Sequence, residues 1–264
     1  MREFEFQRAR SVAEAVAALR GGGEAKWLAG GQSLIPLLKH ELAQPDRLVS
    51  LAGIETLRGV RVEKGTLVVG ALATHAELAA SEAVRRARPA LAELAAGIGD
   101  PQVRQRGTLG GSLAHADPAA DHPAALLALA ATVHTDRRQI AAHDFFRGLY
   151  ETALAPDELV TAVHYPIPEA AAYEKFPQPA SRFALVGVFV ARAGRGVRVA
   201  VTGATSRVFR WSEAERALEA RFSEAALPGL RVPPEGLLAN ADAGADYRAH
   251  LIGVLTRRAV ARCG

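Results

Sequence analysis

Cysteine is nearly absent: of 264 residues only Cys263 carries a thiol. One thiol makes no disulfide within the chain and cannot hold a zinc ion or an iron–sulfur cluster, which take sets of ligands, so any such cluster belongs to a partner. Aromatic residues are few and dispersed, nine Phe, four Tyr and two Trp. No stretch interleaves them with basic residues, so no nucleic-acid platform is expected despite a net charge of +4 and a pI near 9.6. The mild basicity suits an anionic ligand equally well. No apolar run reaches membrane-spanning length, and Met1-Arg2-Glu3-Phe4-Glu5-Phe6 is charged, without the apolar core and cleavage site of a leader. The expectation is a cytoplasmic protein with no membrane span.

What the chain does have is apolar side chain, 49% of its residues, and glycine, 24 of them. Its length exceeds that of a usual single domain, so two or three are expected. Phe4 to Phe6 alternates like a strand, and Ser11 with Glu14 makes a capping box for a helix over Val12 to Leu19 that Gly21-Gly22-Gly23 stops. Strands are predicted at Trp27 to Ala29 and Arg47 to Leu51, and a hairpin over Arg58 to Val69 turning at Lys64-Gly65. Helices follow, one opened by Thr74-His75-Ala76-Glu77 and one over Pro89 to Ala96, then short strands at Thr132 to His134, Gln139 to Ala141 and Leu159 to Tyr165. Glu169-Ala170-Ala171-Ala172 reads as a linker. Beyond it, strands over Phe183 to Ala191 and Val197 to Gly203 precede helices over Ser212 to Ala220 and Asp246 to Arg262, the last with an apolar face of Leu251, Val254, Leu255 and Ala259.

Two glycine-rich stretches carry the chemistry. Thr108-Leu109-Gly110-Gly111-Ser112 reads as a loop whose glycines and hydroxyls leave backbone N–H groups open and let a ligand approach the main chain. Asp121 then reads as the N-cap of a buried helix over Ala124 to Ala131. Ala29-Gly30-Gly31-Gln32-Ser33 is a second loop of the same kind, leading into Leu34-Ile35-Pro36-Leu37-Leu38. Two such nests, each before a helix, point to a ligand with two phosphates, a dinucleotide rather than a simple anion.

Together the Ala29–Ser33 loop, the Thr108–Ser112 loop with Asp121, and Tyr173-Glu174-Lys175-Phe176 resemble the FAD-binding medium subunit of molybdenum hydroxylases. That family includes the aerobic carbon monoxide dehydrogenase medium subunit and the flavin domain of xanthine dehydrogenase. The resemblance extends to Ala204 and to Tyr247-Arg248-Ala249-His250-Leu251. It implies an α+β fold, a two-subdomain FAD-binding domain of the vanillyl-alcohol-oxidase type over residues 1–168 (subdomains about 1–54 and 55–168), then a C-terminal α+β domain, strands before helices, over 169–264. By that resemblance Leu28, Ala29, Gly30, Gly31, Gln32, Ser33 and Leu34, with Thr108, Gly110, Gly111 and Ser112, would wrap the pyrophosphate of FAD. Asp121 would bind on the ribityl or adenosine side, Val160 would pack the cofactor and Lys175 would reach it from the linker. Gln105 and Ser112 depart from the family, which often has Asn at both places, and Asp136-Arg137-Arg138 gives a shorter hairpin.

The same resemblance implies partners: a large molybdopterin subunit that hydroxylates substrate and a small [2Fe-2S] subunit that carries electrons, in a dimer of heterotrimers. The flavin subunit would pass those electrons to an external acceptor, and the missing cysteine set agrees with clusters on another subunit. No catalytic acid or base and no metal ligand are assigned. His115 and His122 lack the i, i+4 pattern of a zinc site, and Asp117 and Asp121 read as braces and caps. Arg104 and Arg106 read as phosphate or partner contacts or as solvated charge. Two other readings stand beside this one, a self-contained flavin oxidoreductase and a non-enzymatic anion-binding α/β module. The absorption spectrum of the purified chain separates them.

Overall fold

The computed structural model describes residues 2–263. The chain begins with β1 (Glu5–Arg8), α1 (Val12–Leu19), β2 (Ala25–Leu28), α2 (Leu34–Lys39) and β3 (Arg47–Ser50). Both β1 and β2 pair in parallel with β3, a sheet of order β1-β3-β2. Ser11 caps α1 as expected, accepting the Glu14 N–H. The Glu14 carboxylate reaches back one residue further than a capping box requires, to the Arg10 N–H at 2.9 Å. Ala15, Val16 and Ala18 of α1 pack with Val49, Leu51, Ile54 and Leu57 into a small core of their own.

Next come β4 (Val60–Glu63) and β5 (Thr66–Gly70), the predicted hairpin. Lys64 and Gly65 stand at φ +47° and +75°, the two left-handed residues a tight hairpin turn needs. A helical run follows: α3 (His75–Ala80), α4 (Glu82–Ala87), α5 (Pro89–Ala96), α6 (Pro101–Arg106), α7 (Leu109–His115) and α8 (His122–Ala128). The capping box of α3 is complete, Thr74 and Glu77 each satisfying the other's backbone. α4 and α6 were not predicted. Both have a good cap, Ser81 and Asp100, but α4 buries only Val84 and α6 buries nothing, so neither prints an apolar period.

Two expectations about this region need correction. Thr108 to Ser112 is no loop: Thr108 is the N-cap of α7, its hydroxyl accepting the Gly111 N–H at 3.2 Å, and the two glycines form the first turn. Asp121 does not cap α8 with its side chain; its backbone is already helical, and the carboxylate turns away.

The chain then forms β6 (Thr132–Thr135), β7 (Gln139–Ala141), α9 (Ala142–Phe145), β8 (Phe146–Gly148), β9 (Glu151–Thr152) and β10 (Val160–Pro166). β10 runs antiparallel between β5 and β6, giving the order β4-β5-β10-β6-β7. Leu67, Val69, Val133, Val163 and Tyr165 of this sheet pack with Leu78, Leu91, Leu94, Leu109, Leu113 and Leu126 of the helices in the largest core.

The last elements are β11 (Ala170–Pro177), β12 (Ala184–Ala193), β13 (Gly196–Thr202), β14 (Phe209–Arg210), α10 (Ser212–Ala220) and α11 (Ala245–Arg262). Their sheet has the order β11-β12-β13-β14. The Glu169–Ala172 linker is a correction: Ala170 to Ala172 already belong to β11, paired with Arg192, Ala191 and Val190. Alanine is a weak strand former, and only the partner strand makes this segment extended. β12 is buried from Ala184 to Ala191 because both faces are covered. Phe189 and Ala191 join the core of the helical region, whereas Val186, Val188 and Val190 meet α10 and α11 through Leu218, Leu251, Ile252 and Leu255. Val254, expected on the buried stripe of α11, is only half-buried and Ile252 takes its place. Buried Arg248 ties α11 to the sheet, donating to the carbonyls of Leu185 and Gly203. Among the described residues no helix is long and apolar enough to cross a membrane.

Candidate functional site

A cavity of about 750 Å³ opens where these parts meet. Its walls come from the loop after β2, from α7, from the β9–β10 segment and from the turn between β11 and β12. That volume lies in the range of cofactor pockets.

The loop after β2 supplies the donors. Among the described residues, the backbone N–H groups of Gly30, Gly31, Gln32, Ser33 and Leu34 meet no acceptor in the chain. Ser33 leaves the start of α2 uncapped, and Gly31 takes φ +76°, which turns successive N–H groups to one side. Unsatisfied donors beside a cavity form a nest for oxygen anions.

The Thr108 stretch works differently from the sequence reading. From Leu109 to Ser112 its N–H groups are not open: Leu109 donates to Ala73 O, Gly110 to Ala71 O at 2.8 Å, Gly111 to Thr108 Oγ1 and Ser112 to Thr108 O. Its glycines serve packing. A Cβ on Gly110 would stand 2.6 Å from Ala71 Cβ, and one on Gly111 would stand 2.8 Å from Thr108 Oγ1. The segment is therefore a rigid wall, carrying the Ser112 hydroxyl into the cavity lining. Gly110→Val is expected to lower the unfolding temperature of the flavin-free chain, whereas Ser112→Ala costs only about 0.5–1.5 kcal/mol of FAD binding. Thermal melts and FAD titration of both variants check this; an unshifted melting temperature for Gly110→Val refutes the packing account.

Asp121 lines the cavity and is buried. It accepts a hydrogen bond from the Tyr173 hydroxyl at 2.5 Å and pairs with Lys175 Nζ at 2.9 Å. Burial raises its pKa, and the Lys175 ammonium opposes that. Gly187 on β12 makes room for the tyrosine: a Cβ there would lie 2.9 Å from Thr202 Cγ2 and nearer still to the Tyr173 hydroxyl. Lys175 also donates to Gly97 O at 2.8 Å and Arg182 O at 3.1 Å, so its charge is spent inside the protein, and it is not among the cavity-lining residues. Leu28 is absent from the lining too, while Ala29 to Leu34, Thr108, Gly110, Gly111, Ser112, Asp121 and Val160 all reach it.

Sequence reasoning missed His75, Tyr150 and Phe183, which also line the cavity. The signal for His75 was its place directly after the Thr74 cap. Tyr150 and Phe183 sit in turns, where no periodicity flags a residue. Arg104, left open between phosphate, partner and solvent, donates to Ile98 O and Gly99 O.

His75 and His122 form a buried pair, His75 Nδ1 and His122 Nε2 lying 3.1 Å apart. Burial, with Arg104 nearby, lowers the pKa of His75 to about 4, and burial followed by His75 and Lys175 pushes His122 well below its usual value. Both are neutral in the folded chain at neutral pH. Their contribution to stability is complete above the unfolded value of 6.5 and is lost as pH falls toward 4, because the unfolded chain takes up protons that the folded one refuses. His75 alone is expected to cost the fold about 2 kcal/mol between pH 7 and pH 5. Urea midpoints at the two pH values measure it, and His75→Gln should flatten the difference.

The site fits FAD on two grounds, a run of open backbone donors for phosphate oxygens and, beside it, a cavity large enough for a cofactor whose lining is mostly apolar. Comparison with known proteins agrees. Residues 2–168 match the family described as the FAD binding domain in molybdopterin dehydrogenase. The chain is similar to the carbon monoxide dehydrogenase medium chain of Hydrogenophaga pseudoflava, with 36% identity over 98% of both chains. Its fold is similar to a chain of the reconstituted CO dehydrogenase from Oligotropha carboxidovorans, with TM-score 0.90, 34% identity and coverage of 99% and 98%. It is also similar to a chain of quinoline 2-oxidoreductase from Pseudomonas putida 86, with TM-score 0.89, 30% identity and coverage of 99% and 97%. An anion-binding module without a cofactor is thereby set aside: the chain belongs to the FAD-binding medium subunits of the molybdenum hydroxylases.

Proposed function

We propose that this chain is the electron-exit subunit of a three-component molybdenum hydroxylase of the carbon monoxide dehydrogenase type, taking electrons from iron–sulfur clusters of a small partner and passing them through FAD to an external acceptor. The observation that carries the reading is the run of open N–H donors from Gly30 to Leu34 beside the cavity. These donors would hold the pyrophosphate, with the Ser112 hydroxyl facing it from α7. Val160 would pack the cofactor, and Asp121 would offer its carboxylate to the ribityl or adenosine part. Leu28 and Lys175 would act indirectly, Leu28 by anchoring the loop to β2 and Lys175 by holding Asp121. When bound, FAD supplies chemistry the chain lacks, accepting electrons singly and releasing them in pairs. The two subdomains, about 1–54 and 55–168, would clasp it in the vanillyl-alcohol-oxidase manner, with 169–264 covering one side. The large molybdopterin subunit and small [2Fe-2S] subunit would complete a dimer of heterotrimers.

The relay reading predicts a yellow chain with no oxidisable substrate of its own. Anaerobic mixing of the purified chain with carbon monoxide, aldehydes or purines should leave its visible absorbance unchanged, and adding the two partners with the right substrate should bleach it. Bleaching by any of these compounds alone would promote the self-contained flavin oxidoreductase. The flavin should be non-covalent, since no Cys and no His lies within Ala29–Ser33 or Thr108–Ser112; acid precipitation should release all of it.

A further inference from the structure

The turn joining β8 and β9 puts an aromatic residue where backbone geometry favours glycine. Gly148 pairs with Glu151, so Leu149 and Tyr150 form the turn, and Tyr150 takes φ +55°. Residues with a Cβ seldom hold that left-handed conformation, and bulky ones least of all. Core packing does not account for the choice, because Tyr150 is 54% exposed. Its ring instead stands in the cavity wall against His115, with ring centroids 5.1 Å apart and planes at 45°. Partial burial raises the pKa of the Tyr150 phenol, and the Asp117 carboxylate beside its hydroxyl raises it further. Asp117 is itself fixed, accepting the Ala119 N–H at 2.8 Å.

Strained backbone persists where its surroundings hold it, and such positions gather at ligand clamps. A tyrosine ring offers a large flat face with only two side-chain torsions to fix. We infer that Tyr150 is a ring-stacking residue of this site, covering a planar heteroaromatic ring of bound FAD, with His115 behind it and Asp117 steering its hydroxyl. The inference rests on the FAD reading above and adds a contact that neither glycine-rich stretch supplies. Backbone donors recognise phosphate, which any nucleotide carries; a stacking face selects for the ring.

The test uses the full chain stripped of flavin, titrated calorimetrically with FAD, FMN and ADP. Tyr150→Gly removes the ring and relieves the left-handed backbone, so the flavin-free variant should melt at or above the wild-type temperature while its affinity for FAD falls about tenfold. Tyr150→Phe keeps the face and should keep the affinity. A loss shared by FMN but not ADP puts the ring on the isoalloxazine, and one shared by ADP but not FMN puts it on the adenine; either supports stacking. Wild-type FAD affinity in Tyr150→Gly, or a loss shared by both fragments or by neither, overturns the inference and leaves the proposed function standing. A wild-type chain that binds none of the three overturns both.

Discussion

Gly30→Ala is expected to give a chain that no longer binds FAD and melts about 10 °C below the wild type. A Cβ at Gly30 would stand 2.7 Å from the carbonyl carbon of Arg106 and 2.9 Å from Gly107 Cα, and closer still to Arg106 O. These are backbone atoms, so no side-chain rotation relieves the overlap. The loop that carries the open donors leans directly on the Arg106–Gly107 backbone, with no room between them for a methyl group. Overpacking a core with flexible neighbours costs about 1–3 kcal/mol, and a rigid neighbour raises that. Calorimetric melting of the flavin-free chain measures the stability loss, and FAD fluorescence titration the binding loss. A variant that melts like the wild type would show that the two loops are not held in contact. Gly31→Ala is the companion: its φ of +76° disfavours any side chain, so it should disturb the donor loop while leaving the Arg106 contact intact.

Lys175→Met is expected to destabilise the chain by about 3–5 kcal/mol at pH 8, because it leaves the Asp121 carboxylate buried without its cation. The loss should shrink in acid. Burial raises the pKa of Asp121, and without Lys175 nothing of opposite charge holds it down. A buried carboxyl with a raised pKa favours the folded state when protonated; the cost is absent below the unfolded value of 3.8 and grows as pH rises through the folded value. Urea unfolding of both proteins at pH 5 and pH 8 reads the difference. Equal losses at the two pH values would assign the effect to the carbonyls of Gly97 and Arg182, which lose the same donor. Asp121→Asn combined with Lys175→Met should recover much of the loss, since the neutral amide removes the orphaned charge.

Local signals settled a good part of this molecule. The capped helix after Ser11, the Lys64-Gly65 hairpin, the capping box at Thr74 and the helix opened by Pro89 were legible because each rests on a cap, a turn residue or an apolar period within a few positions. The donor loop from Gly30 to Leu34 was legible for the same reason: glycines ahead of a helix start expose N–H groups, and here no neighbouring acceptor takes them. Other features depended on partners distant in the chain. Gly110 and Gly111 look like a second nest in sequence, yet their N–H groups are taken by Ala71 and Thr108, and their missing side chains admit neighbours within the protein. Asp121 has the composition of a helix cap, and only the approach of β11 gives its carboxylate Tyr173 and Lys175 instead. Ala170 to Ala172 has no strand propensity until β12 lies beside it. Local signals thus reach as far as much of the backbone and one glycine stretch whose N–H groups the fold leaves open. The tertiary structure decided which donors stayed free, which charges were paired and which rings faced the cavity, because a hydrogen bond or a buried ion pair is satisfied by whatever atom the fold brings within reach.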